Sequence, residues 1–169
     1  MTKDAQHQES GLDAGLDTGL DTGPGTGPGN GPGSADGWVV VAWTPDAFGD
    51  AALEHGIAWA REGGRGVAVV NGTRGDALVD ERFAAPAGLA DLAERLRGTG
   101  LPHVVRQEMG RDVADQVLDV AEELSARLVV VGLRHRSPVG KLLMGSVAQR
   151  ILLTAECPVL AVKPGSRPG

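Results

Sequence analysis

The chain has 169 residues, one cysteine and a formal net charge of −6, a size that usually makes one domain able to bury about two thirds of the surface its unfolded form exposes. Most of that charge belongs to the N-terminal segment: residues 1–36 hold Asp4, Glu9, Asp13, Asp17, Asp21 and Asp36 against Lys3 alone, so the rest is close to neutral. A near-neutral body argues against nucleic acid as the partner, because phosphate-backbone binding needs an excess of Lys and Arg on one surface. Cys157 alone allows neither an intrachain disulfide nor a multi-cysteine zinc cluster, and His7, His55, His103 and His135 are too scattered to form one metal site. No stretch approaches the ~20 apolar residues of a membrane helix, and the N-terminus is polar where a signal peptide is apolar. A soluble, cytoplasmic protein that does not engage membranes is expected.

From Gly11 the sequence steps through GLDA-GLDT-GLDT and then GPGT-GPGN-GPGS. Such a segment cannot bury enough apolar area to offset its ordering entropy, so residues 1–36 are expected to be a disordered tail and residues 37–169 the folded domain. The tail is no dinucleotide fingerprint either. Its glycines from Gly11 to Gly33 all sit at odd positions, whereas G-x-G-x-x-G needs an odd offset between first and last glycine.

After Gly37 short β-branched runs alternate with helical patterns. The first run is Val39 to Ala42, followed by an apolar face of Ala52, Leu53, Ile57, Trp59 and Ala60; the second is Val67 to Val70, followed by Leu89, Leu92, Ala93 and Leu96. A third strand over His103–Met109 carries Arg106 and Glu108 and is therefore placed at a sheet edge. The clearest helix follows, with Val113, Val117, Val120 and Leu124 on one side and Asp112, Asp115, Asp119, Glu122 and Glu123 on the other. A fourth strand over Leu128–Val131, a short helix over Val147–Thr154 and a last strand over Pro158–Val162 complete the chain. Continuous apolar strands are those of a parallel sheet covered on both faces. The order β-α-β-α-β-α-β-α-β then gives an α/β fold, an open, doubly wound five-stranded sheet with helices on both faces.

Sheets of this kind bind ligands beyond the carboxyl ends of their strands, where the winding reverses. One loop at that place is Trp43-Thr44-Pro45-Asp46; Thr44 as helix cap, Pro45 at the first helical position and Asp46 as a favourable charge account for it structurally. The other runs from Gly132 to Ser146. No acidic residue occurs between Glu123 and Glu156, whereas Arg127, Arg134, Arg136, Lys141 and Arg150 do. The loop ends in Gly145-Ser146 at a helix start, where free N–H groups and the helix dipole favour phosphate. Ser146 and Gln149 also have the spacing of a capping box, and one serine can serve both roles. The glycine spacing before Lys141 does not match a P-loop.

The segment Val131–Lys163, VGLRHRSPVGKLLMGSVAQRILLTAECPVLAVK, resembles the C-terminal signature of the universal stress protein family, whose nucleotide-binding members carry G-x2-G-x9-G-[ST] after the fourth strand. Gly132, Gly145 and Ser146 match at that spacing, and His135 replaces the second glycine. The resemblance covers roughly residues 38–163. It implies a Rossmann-like sheet, ATP (with magnesium as its ion) held between the first and fourth strand ends, and a homodimer through the last strand. The implied binding residues are Ala42, Trp43, Thr44, Val70, Gly132, Arg134, His135, Arg136, Gly140, Gly145, Ser146 and Val147. Two departures stand out: Thr44 occupies the place where ATP-binding members often have aspartate, and His135 stands for glycine. The function so implied is an ATP-binding regulatory or stress-response module without efficient catalysis, at most a slow ATPase. Its alternative is a nucleotide-free protein-interaction module acting through dimerisation. Flavin or nicotinamide chemistry lacks its glycine fingerprint.

Overall fold

The computed structural model describes residues 36–75, 80–134 and 144–168. The expectation for the tail falls outside these residues apart from Asp36, as do His135, Arg136 and Gly140. The elements are β1 (Trp38–Ala42), α1 (Ala47–Glu62), β2 (Gly66–Thr73), α2 (Pro86–Arg97), β3 (His103–Met109), α3 (Val113–Glu123), β4 (Ala126–Gly132), α4 (Ser146–Thr154) and β5 (Val159–Val162). All strand pairs are parallel, in the order β3-β2-β1-β4-β5. The Arg- and Glu-bearing third strand lies at one edge, as its composition implies, and β5 lies at the other.

Alternation along β1 divides the core in two. Val39 and Val41 pack with Ala52 and Leu53 of α1 and with Leu92 and Leu96 of α2, whereas Trp38 and Val40 pack with Val117 of α3 and Ile151 of α4. Burying one such valine, leucine or isoleucine stabilises the fold by about 1.5–3 kcal/mol. From β1 the chain advances through β2 to β3 with α1 and α2 on one face. It then returns to the other side of β1 for β4 and β5, with α3 and α4 on the opposite face. Constant crossover handedness demands that change of face when the direction of advance reverses. The reversal leaves a crevice above the adjacent carboxyl ends of β1 and β4.

Three local details depart from the sequence reading. Trp59 is 45% exposed and stands outside the buried face of α1. Gly56 fills that place instead, where a Cβ would come within 2.5 Å of Val41 Cγ2. The cap of α1 is Asp46 and not Thr44: its carboxylate accepts from Phe48 N at 2.9 Å and Gly49 N at 3.0 Å, while the Thr44 hydroxyl donates to it at 3.0 Å. A carboxylate is the stronger acceptor for two helix N–H groups. Likewise α4 starts one residue early. Gly145 is its N-cap, Ser146 is its first helical residue, and no side chain caps it, so the capping box with Gln149 does not form.

Candidate functional site

A cleft of about 540 Å³ opens at the crevice between β1 and β4. Nine of the twelve residues expected to bind ligand line it: Ala42, Trp43 and Thr44 from the exit of β1, Val70 from β2, Gly132 and Arg134 from the exit of β4, and Gly145, Ser146 and Val147 at the start of α4. His135, Arg136 and Gly140 lie outside the described residues. Phe48, Gly72, Arg74, Asp80, Arg82 and Val113 also line the cleft and were missed by sequence reasoning. Most belong to the exit of β2 and the segment after it. No local pattern in the sequence marks them; they reach the cleft because β2 adjoins β1 and its carboxyl end opens into the same crevice.

The helix N-termini around the cleft are not equivalent. Those of α1 and α3 are each capped by an aspartate, Asp46 and Asp112, and carry a further acid in the first turn, Asp50 and Asp115. That of α4 has neither a side-chain cap nor an acid in its first turn. Its leading N–H groups, which no helix can satisfy internally, have no side-chain cap among the described residues and lie at the electropositive end of the helix dipole. Gly145 and Ser146 are exposed there, and a Cβ added to Gly145 would meet none of the described residues within 4 Å.

The two other landmark glycines differ from Gly145. A Cβ on Gly132 would stand 2.5 Å from the Phe48 carbonyl oxygen, and one on Gly49 would stand 2.0 Å from that of Thr44. These glycines let the first turn of α1 sit directly against the ends of β4 and β1. The first glycine of the motif therefore serves helix-on-strand packing, and the last leaves open space above a helix end.

Arg134 spans the crevice. Its guanidinium pairs with Asp46, donates to Thr44 Oγ1 at 3.3 Å and lies 5.6 Å from the centre of the Phe48 ring. On the far side, Asp80 accepts from Thr73 Oγ1 at 2.5 Å and from Arg82 N at 3.0 Å. The Thr73 hydrogen bond, with Arg82 beside it, holds the Asp80 carboxyl below the usual carboxylate range despite its desolvation. Burial alone would raise Asp112, but hydrogen bonds from Arg74 and Ala114 N and the charges of Arg74 and Arg150 outweigh it and lower its pKa. Arg150 also reaches Asp115 at 2.5 Å, fastening α4 to the N-terminus of α3. Desolvation pushes the Cys157 thiol pKa up, which disfavours its thiolate form.

Beneath the cleft sits Asn71, fully buried on β2. Its amide donates to Trp43 O at 3.1 Å and Arg82 O at 2.8 Å, and its carbonyl accepts from Ala84 N and Gln107 Nε2, both at 2.9 Å. One side chain thus ties the exit of β1, the segment carrying Asp80 and Arg82, and edge strand β3. The Trp43 Nε1 donor and the Gln116 Oε1 acceptor are buried without partners.

Comparison with known proteins agrees with this architecture. The family model described as "Universal stress protein family" matches residues 39–163. A universal stress protein of Mycolicibacterium smegmatis is 48% identical over 126 residues, covering 75% of this chain and 97% of that relative. A solved universal stress protein from Archaeoglobus fulgidus superposes with a TM-score of 0.63 at 29% identity, covering 75% of this chain and 98% of that one. A structure of the universal stress protein from Archaeoglobus fulgidus in complex with dAMP shares the fold, with a TM-score of 0.53 at 24% identity over 75% of this chain and 97% of that one. With a family model spanning most of the folded residues and a near full-length relative at such identity, the chain belongs to the universal stress protein family.

Proposed function

We propose that the chain binds an adenine nucleotide, ATP foremost, at the β1–β4 crevice, and acts as a regulatory module and not as an efficient catalyst. The observation that carries this reading is the open N-terminus of α4 beside two aspartate-capped ones: a phosphate chain finds unpaired N–H groups there and repulsion at α1 and α3. The dAMP complex of the Archaeoglobus fulgidus protein supports it, since that fold holds an adenine nucleotide. Gly145, Ser146 and Val147 would face the phosphates, Ala42, Val70 and Gly72 the base, and Arg134 the charge between. A magnesium ion would ride on the phosphate oxygens, because it retains waters readily and needs few protein ligands. Regulation is favoured over turnover because the carboxylates at the cleft among the described residues, Asp46 and Asp80, are already bonded to neighbouring donors. Mass spectrometry of the ligand released from purified, denatured protein tests the reading, with adenine nucleotide expected. If none is released and added ATP does not bind, the nucleotide-free interaction module takes its place.

A homodimer through β5 belongs to the same proposal. Among the described residues the outer edge of β5 has no partner strand in the sheet, and Val159, Leu160 and Ala161 are only half-buried. Leu153 on neighbouring α4 is 79% exposed. An apolar edge of this kind is protected by pairing with another. Analytical ultracentrifugation at micromolar concentration should show a dimer that Val159→Lys or Ala161→Lys weakens. A monomeric wild type would sink this part.

A further inference from the structure

Asp46 divides two tasks between its two oxygens. Oδ1 accepts from Phe48 N at 2.9 Å and from Gly49 N and Thr44 Oγ1 at 3.0 Å, which caps α1. Oδ2 accepts from Nη2 of Arg134, a residue that follows β4 on the other side of the crevice. The cap needs only the first oxygen. The same Nη2 donates to Thr44 Oγ1 at 3.3 Å, and the guanidinium carbon lies 5.6 Å from the centre of the Phe48 ring. The exit of β1 and the first turn of α1 thus hold Arg134, whose side chain lines the cleft.

Given the nucleotide reading above, Arg134 is a group with two claimants. It lines the same cleft as Gly145, Ser146 and Val147, where that reading puts the phosphates. A carboxylate oxygen and a phosphate oxygen are both strong acceptors for a guanidinium. The side chains of Arg134 and Asp46 are 27% and 31% exposed, so an exchange of partners does not require the core to open. We propose that the Arg134–Asp46 pair is a latch of the empty cleft. Asp46 Oδ2 competes with the nucleotide phosphates for the guanidinium and so lowers affinity for phosphate-bearing ligands, and binding transfers Arg134 from the start of α1 to the ligand. The transfer removes an ion pair between α1 and the β4 exit. Occupancy of the cleft is thereby coupled to how two of its walls are joined, which is the differential contact a ligand-driven change requires.

Asp46→Asn isolates the contact. Asparagine caps a helix as well as aspartate does, and its carbonyl oxygen can keep the Oδ1 bonds while an amide NH₂ replaces Oδ2. Titration calorimetry with ATP is run on the full chain, on Asp46→Asn, on Arg134→Met and on the double variant, with thermal melts to confirm that each is folded. Asp46→Asn is expected to tighten ATP binding, by at least about threefold more with Arg134 present than in the Arg134→Met background, a coupling usual for groups in contact. A smaller difference between the two backgrounds would show that Asp46 only repels phosphate, and no tightening at all that it does not compete; either result overturns the latch. Should Asp46→Asn melt below wild type, Asp46→Ser, another N-cap residue but with a single side-chain oxygen, takes its place in the cycle. If wild type and every variant fail to bind ATP, the nucleotide reading itself fails and the inference goes with it, an outcome distinct from equal gains in the two backgrounds.

Discussion

Asn71→Leu is expected to be the most destabilising single change at the cleft, lowering stability by about 3 kcal/mol or more. Leucine keeps the branched shape of asparagine but has bulkier methyl groups, so no cavity results and the cost combines lost hydrogen bonds with overpacking. The substitution leaves the Trp43 and Arg82 carbonyls and the Ala84 N–H without their buried partner, and each such orphan costs about 1–3 kcal/mol. Gln107 suffers less, because it keeps its bond to Ala84 O. At the entropy typical of a domain this size, the melting temperature should fall by roughly 10 °C or more. A melt within 2–3 °C of wild type, about 0.6–0.9 kcal/mol by the same scaling, would show that these four bonds are not formed together. The effect should reach the site as well, since Asn71 holds the segment that brings Asp80 and Arg82 to the cleft wall.

The role of Asn71 was not legible in the sequence, whereas the fold around it was, and the contrast has a physical basis. Strands such as Val67–Val70 and helices such as Val113–Leu124 announce themselves by periodicity, because burial acts on every residue of an element in the same way. Edge placement of β3 could be read from Arg106 and Glu108 for the same reason. The four bonds of Asn71 join residues 11 to 36 positions away, and no local pattern encodes such a meeting. The caps show an intermediate case. Thr44, Asp46, Gly145 and Ser146 were all visible as helix-start residues, but which of them takes the N-cap place depends on where the backbone turns. At α1 Asp46 wins by reaching two N–H groups, and at α4 the glycine turns and Ser146 is left free. Of the residues lining the cleft, those on the β1 and β4 exits followed from the winding reversal and the motif spacing. Phe48, Arg74, Asp80 and Arg82 did not, since they reach the cleft through the tertiary course of the chain.

Gly145→Val should cut ATP affinity at least tenfold, about 1.4 kcal/mol, with little change in stability. The backbone at Gly145 has φ −62° and ψ 149°, a conformation open to any residue, and a Cβ there meets none of the described residues within 4 Å. Valine therefore brings no strain to the turn, which the sequence alone left open. Its cost to the fold is that of a poorer N-cap, no more than about 1 kcal/mol. Gly132→Ala provides the contrast, because its Cβ would press on the Phe48 backbone and destabilise the domain whether or not ligand binds there. The empty space over Gly145 is what phosphate oxygens would occupy on approaching the N–H groups of α4, and a branched side chain fills it. Ser146→Ala refines the assignment: Ser146 makes no capping bond, so its loss should leave the melt unchanged, and any fall in affinity reports a hydroxyl–phosphate contact. Titration calorimetry and thermal melts on the two variants decide the matter. If Gly145→Val melts like wild type and binds ATP as tightly, the phosphates do not lie on the first turn of α4.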